Sequence, residues 1–517
     1  MDKTNSCLTW QQYEAGKEYK RRIGFYETVR RNERFYRGNQ WNESTSELPH
    51  PVFNLVRRIV DYLVGAVLPG DILIRYTDER FPFLENAALR QAVQDGLALL
   101  EKNASYRWKQ GHMTELVNRA LLNAALSGDG VFFCWWDDKK DCGQPFLGDI
   151  RTDLIDSSDF FVADVNSTDL QSQEYIILSG RAPVSSLRVE AANAGLPASE
   201  IEKIVGDGTP STLNVDADFS SLDMNGAEKA TYLIKFFRDN GEVVFEKSTR
   251  DCVIRRTRTG LSLYPVAYFN WTPTKKSFLG TAPITDMIPN QIYINTAYAM
   301  MMKHMRDTAF SKVIYDKSRI PEWSNEVGEA IAAMGGGNVA DAVSVVGVGK
   351  MQDGYLALIN NVIENTKSMM GATEAALGDE RANNTSAILA LQEASHISLN
   401  GVNARLCRCI AELASIWADM LCTYCPAERL ISYEDASGLR AERIRYSVLK
   451  DELLRACVET SHTNLYAPSS SVSTLNQLLD HGHIDMEQYL KFLPAGVLAN
   501  RDLLLSEIKL KGNESNE

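Results

Sequence analysis

Residues 368–395 read SMMGATEAALGDERANNTSAILALQEAS, and the ends of this stretch are helical in pattern while its middle is not. Upstream, Tyr355, Leu358, Ile359, Val362, Ile363 and Met370 recur at helical spacing. Downstream, Ile388, Leu389, Leu391 and Ile397 open a second apolar face. Between them lie Gly371, Gly378, the charges Asp379, Glu380 and Arg381, and a cap signal Asn383-Asn384-Thr385-Ser386. Helix–helix connections usually take about 2–8 residues. This one is longer, charged and punctuated by glycine, so two long helices are joined by a loop that needs a reason of its own.

Composition narrows the reasons. At 57.7 kDa the chain is long enough for several domains, and 44% hydrophobic and 9% aromatic residues supply a real core. The formal net charge of −13 argues for solubility and against a protein that coats nucleic acid. It leaves room for one that lets DNA pass without gripping it. The N-terminal MDKTNSCLTWQQYEAGKEYKRRIG lacks the apolar core of an export signal. The run from Ile292 to Met305 is broken by Asn295, Lys303 and His304, short of the ~20 apolar residues a membrane span needs. A soluble, intracellularly made protein is expected, with its nine cysteines mostly reduced.

The first 70 residues read as helical, with arginines at 21, 22, 30, 31, 34 and 37 among Phe25, Tyr26, Phe35 and Tyr36. That mixture suits a nucleic-acid face, but it reads more simply as an amphipathic helix with packed aromatics and solvated arginines. Helical blocks follow in PVFNLVRRIVDYLVGAVL and HMTELVNRALLNAALSGDG. GVFFCWWDD, DFFVADV, EYIILSGRA, TYLIKFFRD, GEVVFEKST, DCVIRRTRT and LYPVAYFNW then read as strands. The second half of residues 191–229 reads as a long loop. Beyond Trp271 the chain is helical again to about Phe310, with Pro289 expected to break or restart the helix. An α+β insert (SKVIYDKS, EWSNEVGEAIAAM, GGGNVADAVSVVGVGK) precedes the helices of the opening. A polar strand region and a helical C-terminus from Thr474 complete an α+β, mostly helical chain.

Chemistry is offered and refused. Cys407, Cys409, Cys422 and Cys425 make C-x-C-x12-C-x2-C, a zinc-like spacing. Yet Leu406, Cys409, Leu413, Ile416 and Met420 fall within about 40° of the direction of Val402 on a helix, which places Cys409 in an apolar stripe. Cys407 and Cys422 would stand roughly 22 Å apart along that helix, too far for one metal. Gly347–Lys350 resembles the end of a phosphate loop, but Ser344 and Met351 occupy positions that require glycine and Ser/Thr. His481-Gly-His483 lacks further ligands and reads as an exposed turn between helices. No catalytic arrangement, metal site or cofactor is expected.

With catalysis set aside, the order of elements resembles the portal protein (head-to-tail connector) family of tailed bacteriophages over nearly the whole chain. The residues that carry it are RFYRGNQW, LYPVAYFNW leading into Gly280–Pro283, NNTSAILALQEAS, and VETSHTNLYAPSSSVSTLNQLLDHGHIDMEQYLKFLP. The resemblance implies a closed ring, usually of twelve subunits, at one capsid vertex of the virion. It implies a wing (1–279), a stem helix (280–310), a clip (311–351), a second stem helix (352–370), a tunnel loop (371–385), a long helix (386–425), returning wing strands (426–452) and a crown (453–517). The loop would project into a channel for double-stranded DNA, hinged at Gly371 and Gly378. Candidate channel residues are Lys303, Arg306, Lys367, Glu380, Arg381, Asn383 and Asn384; each basic one reads equally well as a solvated or intersubunit ion-pairing residue. Implied roles are DNA packaging, retention and ejection. Implied partners are terminase large subunit, head-tail adaptor, major capsid and scaffolding proteins, met in the bacterial host cytoplasm, with no membrane. The competing reading is a DNA-processing enzyme or other DNA-binding scaffold with an unrecognised active site.

Overall fold

A computed structural model describes residues 7–41, 48–68, 70, 72–83, 85–207, 228–309, 312–324, 326, 330–346, 354–373, 397–425, 428–435, 438–450, 454–460, 467–493 and 504. Two compact units emerge, residues 1–33, 60–286 and 374–517 in the first, and 34–59 with 287–373 in the second. The architecture is α+β.

The chain begins with α1 (Leu8–Arg22) and α2 (Phe25–Arg37), which turn at Gly24 with φ of +69°. Phe25, Val29 and Phe35 are buried while Arg21, Arg22, Arg30, Arg31 and Arg37 are exposed, the amphipathic arrangement that the residue spacing predicts. Helix α3 (Leu55–Val67) leads to strand β1 (Ile72–Asp78) and the long helix α4 (Ala87–Gln110), capped by the Asn86 side chain. Neither β1 nor α4 is expected from the sequence. Helix α5 (Met113–Ser127) ends on Gly128, whose φ of +101° releases the chain into the sheets.

The first unit holds two main antiparallel sheets. Strands β2 (Asp129–Asp141), β3 (Leu147–Ile155), β4 (Phe160–Val162) and β5 (Tyr175–Pro183) are followed by helix α6 (Val184–Asn193) and the one-turn α7 (Ala198–Ile201). Strands β6 (Lys229–Asp239), β7 (Glu242–Ser248), β8 (Val253–Arg258) and β9 (Val266–Asn270) then complete the sheet orders β3-β2-β9 and β4-β5-β6-β7-β8. Part of the long loop expected before β6, residues 208–227, lies outside the described residues.

Helix α8 spans Pro283–Thr308 without interruption. Pro289 therefore neither breaks nor restarts it, contrary to expectation. Proline deletes one backbone donor and crowds one turn, a local cost that the buried neighbours Met287, Ile288 and Ile294 offset here. The insert after it forms the two-stranded ribbon β10 (Lys312–Tyr315) with β11 (Val343–Val346), Tyr315 pairing with Val343. Residues 330–334 of the stretch read as helical are irregular; so short a helix is marginal without a face to bury. Helix α9 (Gly354–Met369) follows.

Back in the first unit, helix α10 (Asn400–Tyr424) runs unbroken from Cys407 to Cys422. Val402, Leu406, Cys409, Leu413, Ile416 and Met420 are all buried, so the predicted stripe is its core face. Strands β12 (Arg429–Asp435) and β13 (Gly438–Ile444) form a hairpin, and β14 (Leu454–Thr460) pairs with β1. Helix α11 (Ala467–Asp480) begins ahead of the expected Thr474, and α12 (Met486–Phe492) follows an exposed turn that contains His481 and His483.

Candidate functional site

Within the second unit, α8 carries two amides one turn apart, Gln291 and Asn295, on a face it buries. Gln291 is 1% exposed and Asn295 3% exposed, so each must find partners inside the protein. Asn295 Nδ2 donates to Gln40 Oε1 at 2.6 Å. Gln291 Nε2 donates to Asn295 Oδ1 at 2.9 Å and to the Phe53 carbonyl at 2.8 Å, while its Oε1 accepts from Val56 N at 3.3 Å. Gln40 Nε2 closes the chain on the Phe35 carbonyl (2.9 Å) and Asn54 Oδ1 (3.1 Å). Each amide meets both a donor and an acceptor, which makes the network directional and ties residues 34–59 to α8.

This geometry gives the segment RFYRGNQW a role. Gly38 takes φ of +89°, a conformation that favours glycine, and turns Gln40 inward. Arg34 Nη2 donates to the Trp41 carbonyl at 3.3 Å and Trp41 Nε1 to the Pro51 carbonyl at 2.8 Å, fixing both sides of that turn. The sequence alone shows the motif but not the partner. Asn295 there looks like a mere interruption of an apolar run.

Helix α9 is tied to α8 by Asn290 Nδ2 donating to Thr366 Oγ1 at 3.0 Å. Thr366 in turn donates to the Val362 carbonyl at 2.7 Å. Away from these contacts both helices show apolar side chains. Ile292, Tyr293 and Met300 on α8, and Tyr355, Leu356 and Leu358 on α9, are 44–59% exposed. Such exposure, repeated on two long helices, marks surface that an isolated subunit leaves uncovered.

In the first unit, the backbone just ahead of α8 is held at Gly280. Its N–H donates to Asp129 Oδ1 at 2.8 Å. The Tyr268 hydroxyl lies 2.5 Å from the same oxygen and 2.7 Å from the Phe278 carbonyl, so its single proton serves two acceptors. Asp129 Oδ2 is buried with no hydrogen-bond partner among the described residues. Burial pushes this carboxyl up to about 6, against the opposing pull of the Tyr268 and Gly280 donors and of Lys20. A Cβ on Gly128 would fall 2.5 Å from the Gly280 oxygen, and one on Gly280 2.7 Å from the Gly128 oxygen. The two backbones touch, and only glycine permits it.

The candidate channel residues fall as follows. Lys303 is half-buried on α8, and Arg306 is exposed in its last turn, 3.6 Å from Asp307. Lys367 on α9 pairs with Glu364 at 2.9 Å. Gly371 takes φ of +70° just past α9, as a hinge or helix stop requires. Gly378, Glu380, Arg381, Asn383 and Asn384 lie outside the described residues. Among the described residues no group of His, Cys, Asp and Glu is arranged to hold a metal, and no helix is long and apolar enough to cross a membrane.

In chain order, two long helices bracket a small β-ribbon, and a third long helix comes later in the sequence. Residues 280–440, from the Gly280 contact into β13, match the family model described as phage P22-like portal protein. Over that span the chain is similar to phage portal proteins, as its order of elements suggests. Gly280–Pro283 and NNTSAILALQEAS lie inside the match, while RFYRGNQW and the C-terminal motif lie outside it. No curated protein matches the chain.

Proposed function

We propose that this chain is the subunit of a portal ring, usually of twelve copies, at one vertex of a tailed-phage capsid. The ring admits double-stranded DNA during packaging, retains it, and releases it on ejection. The observation that carries this reading is the portal family match over residues 280–440, the stretch that holds both long helices and the ribbon between them. The exposed apolar residues of α8 and α9 support it, since neighbouring copies in a ring would cover them.

On this reading residues 280–310 and 352–370 are the stem, 311–351 the clip, 371–385 the tunnel loop, and 386–425 the long helix behind it. Residues 1–279 and 426–452 form the wing, and 453–517 the crown. Terminase large subunit and head-tail adaptor dock on the ring; major capsid and scaffolding proteins surround it. Twelve copies at −13 each carry about −156 charges before counterions, which disfavours tight static contact with phosphates and favours sliding. Lys303, Arg306, Lys367 and Arg381 are the basic guides, with Glu380, Asn383 and Asn384 beside them and Gly371 and Gly378 as hinges. Deleting residues 374–385 tests the loop. Rings are expected to assemble while DNA-filled heads become fewer or leak. Lost assembly, with the surviving rings packaging and holding DNA normally, would make the segment a structural joint instead.

A further inference from the structure

Three elements of the first unit converge on one carboxylate, Asp149 on β3. Arg107, in the last turn of α4, donates from Nη2 to Asp149 Oδ1 at 2.6 Å. Arg429, the first residue of β12, donates from Nη1 to the same oxygen at 3.1 Å. Lys140, on β2 where the pairing with β3 shifts register, donates from Nζ to Asp149 Oδ2 at 3.1 Å. Three cations thus share one anion. Two of them are largely shielded from water, with the Arg107 side chain 9% and the Arg429 side chain 6% exposed.

That stoichiometry is incomplete. Withdrawing a guanidinium from water is costly unless an anion and the full set of acceptors replace the lost hydration. A single carboxylate has too few lone pairs for two guanidinium forks and an ammonium, and Arg107 Nε is buried with no acceptor among the described residues. The other nearby charges do not repair the imbalance. Arg151 is matched to Asp137 at 2.7 Å, and Asp153, on the same wall of the site, accepts from Trp135 Nε1 at 2.6 Å and makes no ion pair with Arg107, Lys140 or Arg429 among the described residues. Burial by itself would raise the Asp149 carboxyl, yet Arg107, Arg429 and Lys140 outweigh it and hold it at about 2.

Beside the cluster lies a concavity of about 360 Å³, lined by these four residues and walled by Tyr106 and Trp417. It is within the size range of small-ligand sites and far larger than one water. Forked guanidiniums match the oxygens of a tetrahedral oxyanion, and an ammonium adds a point charge.

We infer that the Arg107–Lys140–Arg429 cluster is a binding site for a phosphate-type oxyanion, with Asp149 as an internal carboxylate that holds the cations in place and competes with the ligand. The ligand is either free inorganic phosphate or a phosphodiester of nucleic acid; both present at least two non-bridging phosphoryl oxygens. This inference does not depend on the portal reading.

Phosphorus-31 line broadening of inorganic phosphate, titrated with the full chain in chloride buffer at fixed ionic strength, tests it. Saturable binding is expected, weakened several-fold by Lys140→Gln and unchanged by Lys139→Gln, a neighbouring exposed control. Asp149→Asn separates this site from a plain ion-pair knot. If the pocket takes an anion, removing the competitor tightens phosphate binding by about tenfold, and phosphate raises the melting temperature of the variant more than that of the wild type. Competition by a short single-stranded oligonucleotide assigns the phosphodiester as ligand, and its absence assigns the free ion. No saturable binding, or an Asp149→Asn variant that is destabilised and gains nothing from phosphate, overturns the proposal.

Discussion

Asn290 on α8 donates through Nδ2 to Thr366 Oγ1 on α9, 3.0 Å away, and so joins the two long helices that flank the β10–β11 ribbon. Thr366 is 3% exposed and passes its own proton to the Val362 carbonyl. Replacing it by valine keeps the shape and removes the acceptor. Thr366→Val is expected to cost about 1–2 kcal/mol, because Asn290 is left with an unpaired donor, while Thr366→Ser stays close to the wild type. Urea denaturation of the two variants measures both; equal stabilities would show that the bond carries no net weight.

The buried amide network makes a sharper demand. Asn295→Leu removes both a donor to Gln40 and an acceptor from Gln291, two largely buried groups. A loss of about 2–4 kcal/mol is expected. Pairing it with Gln40→Leu should be less than additive, since the second change removes a group that the first left stranded. Thermal melts of the two single variants and the double variant close the cycle. Strict additivity would contradict the network.

The collar at the start of α8 predicts a pH dependence of definite sign. The folded Asp129 carboxyl sits at about 6, above its ordinary value of 3.8. The folded chain therefore binds the extra proton between those values, so this residue's contribution to stability is fully present below about pH 4 and is lost as pH rises through 6. The loss is on the order of 3 kcal/mol. Asp129→Asn should flatten that part of the stability–pH curve. An unchanged slope between pH 4 and 6 would assign the dependence to another group.

Gly128→Ala probes the same collar from the backbone. Its φ of +101° disfavours any side chain, and the added methyl would meet the Gly280 oxygen at 2.5 Å. A cost of about 2–4 kcal/mol is expected. Chemical denaturation checks it; a neutral substitution would mean that the two backbones can part freely.

Much of this fold is legible in the residues. The α10 stripe from Val402 to Met420 follows from spacing alone, and every member of it is buried. The aromatic β-strands and the amphipathic helical character of the N-terminal segment are equally readable, though not its division into two helices at Gly24. Helix α4 was hidden because its buried face includes Asn103 and Arg107 beside Val93, Leu100 and Trp108, which blurs the apolar period. Asn103 donates to the Tyr446 hydroxyl and Arg107 to Asp149, partners far off in the chain. Strand β1 pairs with β14, Ile72 against Thr460, and no local pattern announces a partner so distant. The site was legible in the same uneven way. Charged and glycine residues stand out, whereas Gln40, Gln291 and Asn295 are ordinary polar residues until their burial is known.

The proposed function requires this chain to close into a ring around DNA. Native mass spectrometry of the purified full-length protein, with electron micrographs of the same sample, tests it most directly. Closed rings of identical subunits, twelve in the usual case, with a central opening are expected. A strictly monomeric chain at every concentration and salt, with no ring in any micrograph, would contradict it.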